Sequence, residues 1–396
     1  MKATRAIQTA GVSALADLKP RGAGAALLSI GTATPRLRHL QHDIAKSLAA
    51  RWRLPPHKLQ RWERIIAGSG VEGRHGIAPI EQILRAGTEE RMRLYQQHAP
   101  NLAEQAARAA MASAGVAPWE ISDLIIVSCT GFFAPGVDVA LVDQLHLPRT
   151  VRRNTVGFMG CFGAITGLRA AIGACAAAPA SDSPATALVV CVELCSLHVR
   201  DSIDDDNLVA SALFGDGAAA AVVRQFRGDE DHDIGAPNLP ERNAPGMIEV
   251  GASLLSSGGR VDMTWRITDA GFAMTIDPSV PRAIESLAPA ALAAAGIDDP
   301  ADMDWIVHPG GPRILDAVES ALSLPDGALD PSRSILRTHG NMSSATVLFV
   351  LEAMLHAGPL RPQAAILAFG PGLTIEVMPI RRIGWNRTLQ KHLASS

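Results

Sequence analysis

The sequence has few aromatic residues and almost no net charge. Aromatic residues make up 4% of its 396 residues, tyrosine occurs once, and the formal net charge is −3. Lysine and arginine are scattered, so the composition predicts no basic surface of the kind that nucleic-acid binding requires. An anionic small ligand needs only a few basic residues and stays compatible with this composition.

The sequence also lacks a recognisable targeting or membrane-spanning segment. The N-terminal segment contains Lys2, Arg5, Lys19 and Arg21 but no continuous apolar core of a signal peptide. No apolar run reaches the roughly 18 residues that a membrane helix needs. We expect residues 1–24 to form a mobile, partly helical arm of a cytoplasmic protein with no integral membrane segment.

Cysteine is scarce as well, and its spacing fits neither a zinc site nor a disulfide framework. Five cysteines, an odd number, lie inside apolar runs without a CxxC spacing or a histidine pattern suited to zinc. We therefore expect reduced thiols and no metal. The five are Cys129, Cys161, Cys175, Cys191 and Cys195.

Hydrophobic residues make up 47% of the chain, enough for one large core or two domain-sized cores. Apolar strands, among them 123–131, 185–195 and 247–255, alternate with helical segments, which predicts an α/β fold. Two Phe-Gly-x-Gly turns, at 214–217 and 369–372, each lead into an apolar strand and indicate a duplicated unit with a site between its halves. The polar segment 228–245 marks the boundary, which gives halves at 25–235 and 236–396.

Cys161 lies near the start of an alanine-rich run that is typical of a buried helix. At a helix N-terminus, unpaired backbone N–H groups and the helix dipole stabilise a thiolate. Cys161 is therefore a candidate nucleophile. The alternative is an inert core cysteine, because free cysteines are commonly buried.

Two polar residues of the second half complete a candidate catalytic group. His308 follows an apolar strand, and Asn341 lies in a tight polar turn before a helix. Taken alone, each has an ordinary interpretation, as a strand-end histidine bonded to backbone and as a helix cap. Together with Cys161 they supply a nucleophile, its cationic partner and an oxyanion donor.

A run of basic residues follows the helix predicted at 41–51. Two of them, Arg61 and Arg64, share one helical face. Two interpretations stay open: a solvated helix surface, or a clamp for phosphate groups, which arginine binds well. The run comprises Arg51, Arg53, Lys58, Arg61 and Arg64.

Five motifs together resemble the type III polyketide synthases of the chalcone and stilbene synthase superfamily. They are VGFMGCFGA at 156–164, ALFGDGAAA at 212–220, WIVHPGGP at 305–312, HGNMSSA at 339–345 and AFGPGL at 368–373. The resemblance extends over about 27–383, in the family's order. It implies a thiolase fold, a five-layered αβαβα arrangement of two duplicated halves, and a homodimer. It also implies acyl-CoA and malonyl-CoA as substrates, with no metal or organic cofactor.

The resemblance also assigns roles to single residues. Cys161 would accept the acyl chain as a thiolate paired with a His308 imidazolium. His308 and Asn341 would stabilise thioester oxyanions and drive malonyl-CoA decarboxylation. Phe214 and Trp265 match gatekeeper positions between a CoA tunnel and the reaction chamber, although plant members carry Phe where Trp265 stands.

The same resemblance points to binding residues for CoA and for the acyl chain. Arg61 and Arg64 match basic CoA-binding positions. At a third CoA-binding position the family usually has a lysine, where this sequence has Gly68. Arg313 is a candidate to supply the missing positive charge. The expected chamber residues are Cys129, Ala134, Cys195, His198, Ser343 and Phe369.

The segments 128–136, 154–161 and 193–197 look most like the bacterial alkylresorcinol and alkylpyrone synthases. We therefore expect a long fatty acyl starter, two or three malonyl-CoA extensions, and release of a pyrone or resorcinol. Four alternatives stay open: an aromatic or short acyl starter, a single ketoacyl-synthase-III-like condensation, an acyl-CoA-binding scaffold without turnover, and a cysteine hydrolase.

Overall fold

The computed structural model describes residues 24–179, 183–226, 246–257, 259 and 263–382. The N-terminal arm expected at 1–24 lies outside this range except for its last residue. The boundary predicted at 228–245 also lies outside it.

The described residues form strands and helices in alternation. The strands are β1 Gly24–Ala33, β2 Leu37–Leu40, β3 Gly73–Gly76, β4 Asp123–Ser128, β5 Arg152–Gly157, β6 Thr186–Leu194, β7 Asp216–Gln225, β8 Gly246–Glu249, β9 Ala252–Leu255, β10 Met263–Thr268, β11 Gly271–Ile276, β12 Asp304–Val307, β13 Gln363–Gly370 and β14 Thr374–Arg381. The helices are α1 Gln41–Trp52, α2 Pro56–Ala67, α3 Ile80–Ile83, α4 Thr88–Ala114, α5 Val137–Gln144, α6 Gly163–Ala177, α7 Asp205–Leu213, α8 Val280–Ala294, α9 Pro312–Leu322, α10 Asp330–His339 and α11 Thr346–Ala357.

Ten strands form one mixed sheet in the order β5-β4-β6-β7-β1-β8-β14-β13-β12, with β9 beside β14. Its two halves repeat one pattern. In the first, β4 is parallel to β6, and β6, β7 and β1 are successively antiparallel. In the second, β12 is parallel to β13, and β13, β14 and β8 are successively antiparallel. The predicted duplication of the α/β unit is confirmed.

Three apolar clusters define five layers. Helices α6 and α11 lie between the two half-sheets, and their buried residues form one cluster with inward-facing residues of both. Helices α4 and α5 cover the outer face of the first half-sheet. Helices α8 and α9 cover the outer face of the second. Because strands buried on both faces read as continuous apolar runs, the sequence identified most of this core.

The buried helix predicted after Cys161 lies in the central layer, within an apolar segment longer than the sequence pattern predicted. Gly160–Ala177 is 18 residues long and apolar enough, by composition, to cross a membrane. It includes α6, which the structure places between the two half-sheets, with Leu168 and Ala171 fully buried. Its apolar character therefore belongs to a core helix.

Two local predictions were wrong or incomplete. The strand expected at 247–255 is divided into β8 and β9 around Gly251, whose φ is +66° and whose hypothetical Cβ would overlap the Val377 carbonyl. A side chain is strained in that backbone conformation, so glycine interrupts the strand. The hairpin β10–β11 and helix α10 were not predicted.

Candidate active site

Cys161 lies in a single 3₁₀ turn, Gly160–Phe162, directly before helix α6. Gly160 has φ +74°, and a Cβ there would come within 2.4 Å of Pro371 in the second half. Only glycine fits this approach. The turn therefore holds the thiol against the other half of the molecule, with partial exposure to an internal cavity.

His308 follows strand β12, where its backbone N–H donates to the Leu367 carbonyl at 2.8 Å. The residue is buried, and neither ring nitrogen has a hydrogen-bond partner within the described residues. Because buried polar atoms normally have partners, both nitrogens are available to a group that enters the cavity. The ordinary interpretation of a histidine side chain bonded to backbone is therefore not supported.

The side-chain amide of Asn341 lies beside the thiol, and a backbone hydrogen bond assigns its two ends. Its Oδ1 accepts a hydrogen bond from the Ser343 N–H at 2.8 Å. Both Oδ1 and Nδ2 lie 4.0 Å from Cys161 Sγ. The N–H groups of Nδ2 can therefore donate to an oxyanion that develops beside the sulfur.

Burial favours the neutral forms of Cys161 and His308. Desolvation raises the pKa of the Cys161 thiol to about 12, and hydrogen bonds with Ser343 and Asn341 oppose the shift. Desolvation lowers the pKa of His308 to about 3. Desolvation therefore favours the neutral thiol and the neutral imidazole, and it opposes the effect of the helix N-terminus. The thiolate–imidazolium pair expected from the sequence stays a prediction.

The cavity that Cys161 faces encloses about 1140 Å³ of empty space, including its opening to solvent. Its lining is mainly apolar and comes from both halves of the molecule. It brings together most of the residues expected from the sequence: Cys161, His308, Asn341, Phe214, Trp265, Cys129, Cys195, His198, Ser343 and Phe369. Ala134 is the exception, because it is an exposed loop residue outside the lining of this cavity.

Backbone hydrogen bonds connect the chain on both sides of Phe214 to Asn341. The Asn341 N–H donates to the Leu213 carbonyl at 2.8 Å, and the Gly215 N–H donates to the Asn341 carbonyl at 3.0 Å. The buried Arg74 guanidinium donates to the Phe214 carbonyl at 3.1 Å. The end of α7 and the turn containing Asn341 therefore form one connected unit.

An aromatic stack lines one side of the cavity. Trp265 stacks on Phe272 with ring centroids 4.8 Å apart, and Phe272 stacks on His198 at 3.7 Å. His198 Nε2 donates to the Thr130 carbonyl at 2.7 Å, and its Nδ1 accepts from the Phe272 N–H at 3.2 Å. Desolvation lowers the pKa of His198 to about 3. The ring is therefore a neutral, fixed wall.

A buried carboxyl group is bonded to residues that line the cavity or adjoin it. Glu193 accepts hydrogen bonds from the Cys129 N–H at 3.0 Å and the Thr130 hydroxyl at 2.8 Å, and from the Ser344 hydroxyl. Desolvation raises its pKa to about 7, although these hydrogen bonds favour the charged form. Its charge is close enough to the Cys161 thiol to contribute to raising the pKa of that thiol.

The predicted CoA-binding residues lie on one exposed region. Arg61 forms an ion pair with Asp205, and Arg64 is exposed near the end of α2. A Cβ on Gly70 would come within 2.9 Å of Pro312, so the turn containing Gly68 contacts the start of α9. Arg313 is exposed next to this contact, and its role as a compensating charge stays a prediction.

Sequence reasoning missed four residues of the site. Met274 lies directly opposite Trp265 in the hairpin and lines the cavity, as do Phe272 and Thr130. Glu193 was noted only as part of a segment. An alternating pattern at 271–276 was the available signal for the hairpin, whereas the burial of Glu193 depends on elements distant in sequence.

Comparison with known proteins agrees with this fold and site. The family model "Chalcone and stilbene synthases, N-terminal domain" matches residues 17–225, and the C-terminal domain model matches 251–384. The fold and site define a thiol-based acyl-condensing enzyme with the thiolase fold. The chain belongs to the chalcone and stilbene synthase family, the type III polyketide synthases, which are malonyl-CoA-dependent condensing enzymes.

Individual relatives are moderately similar over nearly the whole chain. "Alpha-pyrone synthesis polyketide synthase-like Pks18" of Mycobacterium tuberculosis is 32% identical, over 89% of this chain and 90% of its own. The 1,3,6,8-tetrahydroxynaphthalene synthase of Streptomyces peucetius is 34% identical, over 90% and 93%. The crystal structure of the Streptomyces coelicolor tetrahydroxynaphthalene synthase has a TM-score of 0.80 and 29% identity, over 90% of this chain and 99% of that one.

Proposed function

We propose that this enzyme loads a fatty acyl-CoA starter on Cys161, extends it with malonyl-CoA and releases an alkylpyrone or alkylresorcinol. The observation that carries the proposal is the apolar cavity in which Cys161, His308 and Asn341 meet. Apolar walls suit an alkyl chain and keep water from the thioester. The mycobacterial relative is named for alpha-pyrone synthesis, which supports the same product class.

In the loading step, the Cys161 sulfur attacks the thioester carbonyl of the starter. The proton of the thiol passes to His308, whose ring nitrogens are unpaired in the resting site. The new S–C bond forms, CoA leaves as a thiolate, and that thiolate takes up the proton. Asn341 Nδ2 and His308 stabilise the oxyanion that forms in between.

In the extension step, malonyl-CoA loses CO₂ and leaves an enolate of acetyl-CoA. Donors at His308 and Asn341 stabilise the negative charge on the enolate oxygen. The enolate carbon attacks the acyl group on Cys161, a C–C bond forms, and the S–C bond to Cys161 breaks. These steps balance without a metal or organic cofactor, and we propose that none takes part.

A second candidate differs in the starter. Trp265, Phe272 and His198 fill one side of the cavity with rigid rings, which favours a short or aromatic acyl starter. Both candidates use the same catalytic residues, so they differ only in which CoA thioester is accepted.

We propose a homodimer as the working form. The edge strand β5 has mostly exposed residues, and two large aromatic side chains near it, Phe132 and Phe158, are more than half exposed. An unpaired edge next to exposed apolar side chains is typical of an interface.

Ala134 lies in the same loop as Phe132, and we propose that it faces the cavity of the partner. Sedimentation equilibrium tests the dimer, and a monomer would contradict it.

The product experiment tests the function. Purified enzyme is incubated with malonyl-CoA and acyl-CoAs of graded chain length, and products are identified by mass. The fatty-acyl proposal predicts pyrones or resorcinols with two or three added C2 units and a preference for long chains. Products from short or aromatic starters alone would favour the second candidate. One added C2 unit, or free fatty acid formed without malonyl-CoA, would contradict both.

A further inference from the structure

The carboxylate of Asp205 bridges two cations of helix α2. Its Oδ1 accepts from Lys58 Nζ at 3.0 Å, and its Oδ2 lies 2.9 Å from an Arg61 guanidinium nitrogen. Lys58 and Arg61 are separated by three positions and share one helical face. The Asp205 and Arg61 side chains are each 48% exposed, so solvent and ligands reach the pair.

This arrangement has the geometry of a phosphate site occupied by a carboxylate. Each carboxylate oxygen of Asp205 contacts one of the two cations, Lys58 or Arg61. Two oxygens of a phosphate group could contact the same two cations in the same way. Ion pairs at exposed positions contribute little to stability, so a ligand displaces such a carboxylate at small cost. A phosphate carries more charge and more acceptor oxygens than a carboxylate.

Helix α7 connects this ion-pair cluster to the reaction cavity. Trp62 of α2 packs in one apolar cluster with Leu208 and Ala212 of α7. On another side of α7, Ala210 and Ser211 line the cavity. The cation pair therefore lies on the outer side of a helix that forms the cavity wall, at a position suited to the phosphates of a CoA thioester whose acyl end enters the cavity.

We propose that Asp205 is an internal competitor for the CoA phosphates at Lys58 and Arg61 and thereby sets the affinity of the enzyme for CoA thioesters. The proposal rests on the proposed function, since it takes CoA thioesters as the substrates. Binding of a phosphate exchanges one anion for another at the two cations. The resting enzyme consequently binds CoA more weakly, and with less dependence on salt, than two free cations would.

The test compares Asp205→Asn with Asp201→Asn as a matched control. Asp201 forms a similar exposed ion pair at 2.7 Å, but with Arg51 of the neighbouring helix. Both substitutions remove one negative charge. The dissociation constant of free CoA is measured by calorimetry at low and high salt. KM is measured for a starter CoA thioester and for its N-acetylcysteamine thioester, which lacks the phosphates.

Asp205→Asn is expected to lower the CoA dissociation constant and the KM for CoA thioesters by about two- to tenfold at low salt. In this variant the dissociation constant of CoA should depend more steeply on salt concentration than in the wild type. KM for the N-acetylcysteamine thioester should stay unchanged. Lys58→Met is expected to weaken CoA binding. Equal effects of Asp205→Asn and Asp201→Asn would overturn the proposal, as would weaker CoA binding by Asp205→Asn or unchanged binding by Lys58→Met.

These outcomes separate the proposal from the proposed function. If the function fails, the wild-type enzyme forms no polyketide from either thioester. If only the role of Asp205 fails, the wild-type enzyme forms polyketide, while Asp205→Asn binds free CoA no more tightly.

Discussion

At the scale of single residues, Asn341 places an amide donor beside the thiol. The Ser343 N–H fixes the amide oxygen, and both Oδ1 and Nδ2 lie 4.0 Å from Cys161 Sγ. The ordinary helix-cap interpretation of this residue accounts for the oxygen but gives the amide nitrogen no role. A donor at this position can stabilise negative charge that develops beside the sulfur.

Replacing Asn341 tests this donor. Asn341→Asp keeps the shape and an acceptor for the Ser343 N–H, but it replaces the donor with a carboxylate oxygen. We expect Asn341→Ala to lower kcat for polyketide formation about 10²- to 10³-fold, and Asn341→Asp at least as much. Circular dichroism provides the folding control. A wild-type kcat in Asn341→Asp would contradict the assignment.

Glu193 couples stability to pH. Its pKa is raised from 4.5 in the unfolded chain to about 7 in the folded protein, because burial disfavours the carboxylate. The folded state therefore binds this proton more tightly than the unfolded state. The resulting stabilisation is fully present below about pH 4.5 and is lost as the pH rises to about 7.

Glu193→Gln removes this pH dependence, because a neutral amide cannot titrate. The test measures the free energy of unfolding with denaturant at about pH 5 and at about pH 8. As the pH rises between these values, this free energy should fall by roughly 3 kcal/mol more in the wild type than in the variant. Asp216, whose pKa burial raises to about 6, is present in both proteins, so its effect cancels. The same pH dependence in both proteins would contradict the burial argument.

At the scale of elements, the hairpin β10–β11 is anchored to the rest of the molecule by His198. The imidazole links the Thr130 carbonyl to the Phe272 N–H and stacks on the Phe272 ring. Both hydrogen bonds need the neutral ring with its proton on Nε2. His198 thus contributes to fixing the wall that carries Trp265, together with hydrogen bonds between the same hairpin and Thr88, Asp206 and Gly372.

His198→Ala should loosen this wall. The substitution leaves a buried N–H and a buried carbonyl without partners, so we expect a loss of about 1–3 kcal/mol of unfolding free energy. Amide hydrogen exchange in 271–276 should become faster. Ile267→Ala is the control, because Ile267 lies in the same hairpin with its side chain half exposed. Unchanged exchange in His198→Ala would show that the hairpin is held by other contacts.

The sequence predicted elements well where apolar runs were continuous, as in β4, β6 and α6. It failed at the hairpin, where Trp265 was assigned a role but its partner across the ladder, Met274, was not recognised. Strand pairing depends on register, which one strand alone does not reveal. The division between β8 and β9 depends on the close approach of Val377 to Gly251, a contact between distant segments.

At the scale of the whole molecule, the candidate active site lies where the two halves meet. Cys161 comes from the first half, whereas His308 and Asn341 come from the second, and the paired Phe-Gly-x-Gly turns were the sequence signal for this arrangement. An ion pair between Arg169 and Glu376 at 2.6 Å also joins the halves. The direction in which the pKa values of Cys161 and His308 shift could not be predicted, because their desolvation is produced by walls from both halves.

The most direct test of the account is the intact mass of the enzyme after incubation with a fatty acyl-CoA, with and without malonyl-CoA. The wild type should gain the mass of one acyl group, located on Cys161 by peptide mapping. This adduct should disappear as polyketide forms when malonyl-CoA is added, and Cys161→Ala should form no adduct. An acyl adduct that persists in Cys161→Ala, or polyketide formation by that variant, would contradict the central role of Cys161.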